Sequence, residues 1–218
     1  MKLISTQSPE VVKTLLDGNV FHCDPMKSEY LENELAGKES PNFLHAYDFI
    51  SEQMKRKIGE PPKGVKYPIW AWARVGFMPK FPKPNSKRWR DIITCPGYYD
   101  AVLYLEVPDD QVLLSDFNRF HEVLNNFPIL DAKSEEELDA TYSRYEKLPY
   151  EDKNRMKLRS WEKIFDVEPY RTKFETRGEF VQATFWELKP EYVKSIVLSD
   201  RRGEKEFDED DDEEEYDS

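Results

Sequence analysis

Tyr67-Pro68-Ile69-Trp70-Ala71-Trp72 reads as a β-strand. Its side chains alternate between two faces. Trp70, Trp72 and then Arg74 fall on one side, and Tyr67, Ile69 and Ala71 on the other. The run Gly59-Glu60-Pro61-Pro62-Lys63-Gly64 just before it stops any helix and turns the chain into the strand. Two indoles and a guanidinium on one strand face suit a planar ligand. The same pattern suits the second layer of an ordinary core, and at this point both readings stay open.

The segments around this strand alternate between helix and strand signals. Upstream, Ser40-Pro41-Asn42 opens a helix in which Phe43, Tyr47, Ile50, Met54 and Ile58 share one face. His45 is expected about 160 degrees away from that face. Nearer the N-terminus, Lys2 to Thr6 is a strand. Ser8-Pro9-Glu10 then starts a helix with Val11, Val12, Leu15 and Leu16 inward, and Gly18 stops it. Val20 to Cys23 is expected as a brief strand and Pro25 to Leu35 as a short helix.

Downstream, Asp100 to Val107 and Gln111 to Leu114 are strands. The latter leads into a helix capped by Ser115 or Asp116, with Phe117, Phe120, His121 and Leu124 inward. Ser134 and Glu137 form a capping box for a helix carrying Leu138, Tyr142 and Tyr145. After Pro149, Tyr150 to Phe165 is a charged helix with a stripe of Leu158, Trp161, Ile164 and Phe165. A polar connector follows, then strands at Phe180 to Leu188 and Ser195 to Ser199. No internal repeat is present. The expected fold is α+β: a single mixed domain over residues 1–203, with a small twisted, mainly antiparallel sheet flanked by helices. Residues 134–165 are a candidate helical insertion, and 204–218 a disordered acidic tail.

The chain has 218 residues and a formal charge of −12, with 39% hydrophobic and 14% aromatic content. Such a length buries a sizeable core, here built on Phe, Tyr and Trp. The charge is unevenly spread. Glu204 to Ser218 hold eleven acidic residues and one lysine, leaving only −2 for the rest. That tail has too much like charge to fold alone; it solubilises the chain, docks on a basic partner or imitates a nucleic-acid backbone. Cys23 and Cys95 are the only cysteines. Together with an N-terminus too polar for a secretory leader, they point to a reducing, cytoplasmic setting. No apolar run is long enough to span a bilayer, so no membrane partner is expected.

The chemistry-bearing patterns are sparse. His22-Cys23-Asp24 lacks the spacing of a metal site, and no CxxC or HExxH occurs; no metal or cofactor is expected. The eight glycines form no phosphate loop, and no serine sits in a nucleophile elbow. Cys95 precedes Pro96-Gly97, with no histidine near it in sequence, and reads as a structural or incidental thiol. His121 is either a boundary histidine or a site histidine held by a neighbour such as Asp116. The loop with Lys80, Lys83, Lys87, Arg88 and Arg90 around Trp89 reads as solvated before it reads as a nucleic-acid contact, given the nearly neutral body.

Taken together, the Trp strand, Leu3-Ile4-Ser5-Thr6-Gln7, Val107-Pro108-Asp109 through Leu113-Leu114-Ser115-Asp116-Phe117, Ser160 to Asp166 and Val181 to Leu188 form a recognisable set. In this order they resemble an uncharacterised bacterial and phage family, domain of unknown function 3841. The resemblance implies one domain along residues 2 to 203, and no reaction. A fainter similarity is to ADP-ribosyltransferase-like folds, through the first strand ending in Thr6-Gln7, the helix, Gly18 and the late strand Gln182-Ala183-Thr184. Those enzymes place a glutamate on a late strand to orient the ribose. Here the comparable slot holds Thr184, and Glu187 falls on the opposite face.

Two functional expectations follow. The first is a non-catalytic domain that binds a small molecule or a protein partner, with an aromatic-lined pocket around Trp70, Trp72 and Arg74. The second is a nucleotide- or NAD-utilising enzyme. There, Trp70 or Trp72 stacks on a base, Arg74 or Arg90 meets phosphate, and Thr6, Gln7 and Asp116 complete the ligand-binding set. His121, Gln182 and Thr184 orient the sugar or act on it. That reading requires these groups to converge on one pocket.

Overall fold

A computed structural model describes residues 1–27, 43–77, 81 and 101–198. Six strands form one sheet: β1 (Lys2–Gln7), β2 (Ile69–Val75), β3 (Ala101–Glu106), β4 (Leu113–Asp116), β7 (Phe180–Phe185) and β8 (Val193–Leu198). Their order is β4-β7-β2-β1-β3-β8. Every neighbouring pair is antiparallel. A separate two-stranded ladder joins β5 (Tyr170–Arg171) to β6 (Thr176–Arg177). Among the described residues five α-helices complete the frame: α1 (Pro9–Leu16), α2 (Leu44–Ile58), α3 (Phe117–Leu124), α4 (Glu135–Glu146) and α5 (Tyr150–Ser160). The expected mixed α+β domain with an antiparallel sheet is what forms.

The alternation in β1, β2 and β7 sorts the sheet into two apolar faces. On one, Leu3, Ile69, Ala71, Leu103, Leu105, Ala183 and Phe185 meet Val11 and Leu15 of α1. On the other, Trp70 packs into a cluster with Ile50 and Met54 of α2, Phe120 and Val123 of α3, and Trp161 and Ile164. Each fully buried large apolar side chain contributes about 1.5–3 kcal/mol, so these two layers dominate the stability. Ile4, Trp72, Val102 and Tyr104 extend the second layer, together with Phe81.

Several local expectations need correction. Val20–Cys23 is not a strand; only an isolated bridge, Phe21 to Leu188, forms there. Pro25–Lys27 is a 3₁₀ turn, and the rest of the expected helix to Leu35 lies outside the described residues. The return strand begins at Leu113, because Asp109–Gln111 winds into a 3₁₀ turn first. The helix from Tyr150 ends at Ser160, and Trp161–Phe165 tightens into a 3₁₀ segment. That tightening buries Trp161 and Ile164 while Leu158 stays 44% exposed. The polar connector hides the β5–β6 hairpin, whose strands are too short to show a period. The basic loop, Cys95, Arg90 and the acidic tail lie outside the described residues.

His45 is also displaced from its expected solvent face. Its Nε2 donates to the Val123 carbonyl at 2.6 Å, and its ring lies 5.7 Å from that of Trp161. The reason is that α2 is packed on two sides. Ile50 and Met54 face the sheet-side core, while Phe49 meets Trp161 at 5.3 Å and Phe165 at 6.2 Å. A single-stripe reading misses the second side.

Candidate functional site

The sheet brings several of the sequence-selected residues onto one face. Trp70 stands opposite Thr184, Trp72 opposite Gln182, and Gln182 opposite Ser115. Ile4 is the partner of Trp72 on the other side, and Thr6 lies two residues along the same strand opposite Val102. These groups are nonetheless closed in. The Trp70 ring contacts Tyr47 at 5.7 Å and Phe120 at 5.2 Å, and Trp72 meets Phe117 at 5.0 Å. Gln182 and Thr184 are buried, and Thr184 Oγ1 donates to the Leu113 carbonyl at 3.3 Å. The indoles are half-buried and pack mainly on helices. Gln7 donates through Nε2 to Ser5 Oγ, two residues back on the same strand.

His121 does not join them. It is exposed on α3, not inward, because Arg119, Phe120 and Val123 occupy the buried side of that helix. Its Nδ1 donates to the Phe117 carbonyl at 3.0 Å, and its ring stands edge-on to Phe117 at 4.4 Å. Asp116 is not its partner.

A register shift between Trp72 and Arg74 sets Arg74 opposite Val181 and out of phase with the two indoles. The guanidinium donates to the carbonyls of Val167 and Gly178 at 3.0 and 2.6 Å. Asp116 completes the same clamp. Its fully buried carboxylate accepts from Arg119 N at 2.9 Å, capping α3, and from Gly178 N at 2.6 Å. Gly178 is required there: its φ is +66°, and a Cβ would come within 2.5 Å of the Val167 carbonyl. Arg74 and Asp116 therefore fasten the β5–β6 hairpin to the sheet.

The same fastening creates a cleft that the sequence reading missed. It has a volume of about 510 Å³, inside the roughly 300–1,000 Å³ usual for ligand sites. One wall is α3, with Asn118, Arg119 and Glu122; a second is Phe127 to Asp131; α4 contributes Leu138, Asp139 and Tyr142; the hairpin tip supplies Phe174 and Glu175. Thr172 shapes that tip, its Oγ1 accepting from the backbone N–H groups of Phe174 and Glu175. Ser134 Oγ caps α4 by accepting from Glu137 N, and Glu137 in turn accepts from Lys133 N.

At the base of the cleft lies a charge network centred on Arg119, which is 8% exposed. It donates to Asp131 Oδ1 at 3.0 Å, Glu175 Oε1 at 2.7 Å and the Lys163 carbonyl at 3.0 Å. Lys163 binds the other Asp131 oxygen at 2.8 Å, and Arg177 shares Glu175 at 2.8 Å. Around this polar floor four large apolar side chains stand out: Phe127 is 58% exposed, Leu138 42%, Tyr142 53% and Phe174 48%. Only Tyr145 of the α4 stripe is buried. The sequence signal was present in the helix stripe Leu138-Tyr142-Tyr145. Nothing local shows that two of its three members stay uncovered.

A family model described as Domain of unknown function (DUF3841) matches residues 2–194. The chain belongs to this family. The DUF3841 match runs through the sheet, the clamp and the cleft alike. No curated protein and no solved structure matches the chain. Within this DUF3841 domain a second, smaller cleft of about 220 Å³ is lined by Gln111, Trp186, Glu187 and Lys189 among others. His22 Nε2 lies 2.9 Å from Glu187 Oε1 beside it. That contact, with Lys189, holds the Glu187 carboxyl below the usual carboxylate range. Nearby, burial and then Asp24 push the Cys23 thiol up to about 11, which favours its protonated form. Among the described residues no cluster of three or more metal-ligating side chains occurs, and no helix is long and apolar enough to cross a membrane.

Proposed function

We infer that the domain is a binding module whose cleft between α3, α4 and the β5–β6 hairpin receives a partner. The observation that carries this reading is the pairing of a fixed polar floor with an uncovered apolar rim. Arg119 is held by three partners, while Phe127, Leu138, Tyr142 and Phe174 are left facing outward in one place. A clustered apolar patch rimmed by polar groups is the usual mark of an interaction site. This cleft is lined by Phe127, Tyr142 and Phe174 and is a different place from the Trp70, Trp72 and Arg74 pocket expected from the sequence.

The alternative, an enzyme acting on a nucleotide or NAD, draws on the shared sheet face of Trp70, Trp72, Gln182 and Thr184. The burial of Gln182 and Thr184 and the outward placement of His121 weigh against it. Methyl NMR on Ile, Leu and Val separates the two readings. Titration with a mixture of indole, phenol and benzamidine is expected to shift the methyls of Ile129, Leu130 and Leu138. No response at these positions overturns the cleft reading. Shifts confined to Ile4 and Val102 on addition of NAD support the enzyme reading instead.

A further inference from the structure

We propose that the partner of this cleft is a peptide segment that presents a lysine or arginine among large apolar side chains. The inference rests on the cleft reading above and adds the chemistry of its occupant. Charge is the first argument. The lining contains four carboxylates, Glu122, Asp131, Asp139 and Glu175, against the single guanidinium of Arg119. Arg119 is already held by Asp131, Glu175 and the Lys163 carbonyl. With Asp131 and Glu175 paired to cations, and Lys173 lying 5.3 Å from the Phe174 ring on the hairpin side, the unpaired charge of the lining is that of Glu122 and Asp139 on the α3 and α4 walls, where an anionic occupant is disfavoured.

The second argument is which carboxylates are engaged. Asp131 and Glu175 are neutralised by Arg119, Lys163 and Arg177. Glu122 and Asp139 have no ion-pair partner among the described residues, and they project from α3 and α4, two walls of the same cleft. A cationic side chain entering between those walls finds an unpaired carboxylate without breaking the network below. The third argument is size. Four rim side chains are each at least 42% exposed. Covering them takes an occupant with several apolar side chains of its own, which a small organic cation does not supply. Aromatic and aliphatic anchors carry most of the energy in such contacts, and the charge sets selectivity and approach.

Selection from a randomised twelve-residue display library against the full chain tests this. Parallel selections use Leu138→Ala/Tyr142→Ala, which removes the rim, and Glu122→Gln/Asp139→Asn, which removes only the free charges. All four sites are exposed, and unchanged thermal midpoints check that each variant is folded. The expected winners carry at least one Lys or Arg between two large apolar residues. They lose at least tenfold in affinity on the rim variant and about tenfold on the charge variant, and weaken with added salt. Winners that depend on the rim but carry no basic residue overturn this inference and leave the cleft reading standing. Failure to obtain any peptide sensitive to the rim variant overturns the cleft reading as well. Spermidine or free arginine shifting the cleft methyls as tightly as the peptides overturns the assignment to a peptide.

Discussion

Ser115 and Asp116 are adjacent in sequence and fully buried, yet their energetic roles are opposite. Asp116 satisfies two backbone N–H groups, whereas Ser115 Oγ has no hydrogen-bond partner among the described residues. Removing an acceptor that caps a helix and also serves a buried donor costs more than either loss alone. Asp116→Ala is expected to lose about 2–4 kcal/mol in urea unfolding. Ser115→Ala removes an unmade hydrogen bond and is expected to be neutral or slightly stabilising in the same assay. Gly178→Ala should cost about 2 kcal/mol or more, because it combines positive φ with a backbone clash. A Gly178→Ala protein as stable as wild type would mean that the hairpin is not clamped as described. Glycine at this position was visible in the sequence. Its need was not, since the Val167 carbonyl that crowds it is brought there by tertiary packing.

At the scale of elements, helix and strand existence was legible wherever a period repeated. The alternation in β2 and β7, the Ser8-Pro9 start of α1 and the Ser134 cap of α4 appear where the sequence puts them, although Ser8 makes no side-chain cap bond and Glu137 accepts from Lys133 N, one residue before the cap. Elements without a repeat were lost. The β5 and β6 strands have two residues each, and the register shift after Trp72 breaks the phase that Arg74 was assigned. The cleft between α3, α4 and the hairpin was not legible for a related reason: periodicity says which side of a helix is apolar, not whether anything covers it. His121 belongs to that class, exposed beside an apolar neighbour.

One tie between elements has a pH signature. The bridge from Phe21 to Leu188 is accompanied by the His22–Glu187 contact. Because the Glu187 carboxyl is held low in the folded state, its contribution is present above the unfolded carboxylate value of about 4.3 and is lost as pH falls through the folded value. Both side chains are partly exposed, so Glu187→Gln should cost no more than about 1 kcal/mol near neutral pH. The difference from wild type should vanish toward acid. A constant difference across a urea series in pH would assign the effect to packing instead.

For the molecule as a whole, the sheet order β4-β7-β2-β1-β3-β8 has a kinetic consequence. The two strands nearest the start of the chain, β1 and β2, lie at its centre, yet β2 is completed only by β7 and β3 only by β8. Pairings this distant in sequence slow folding. Refolding from urea is therefore expected to take milliseconds to seconds, and stopped-flow fluorescence of the indoles can time it. On a ribosome the consequence is stricter. β2 emerges early and lacks its β7 neighbour until nearly the whole domain has been made, so the nascent chain carries that strand edge unpaired long after α2 and α3 have supplied the side chains that cover Trp70 and Trp72.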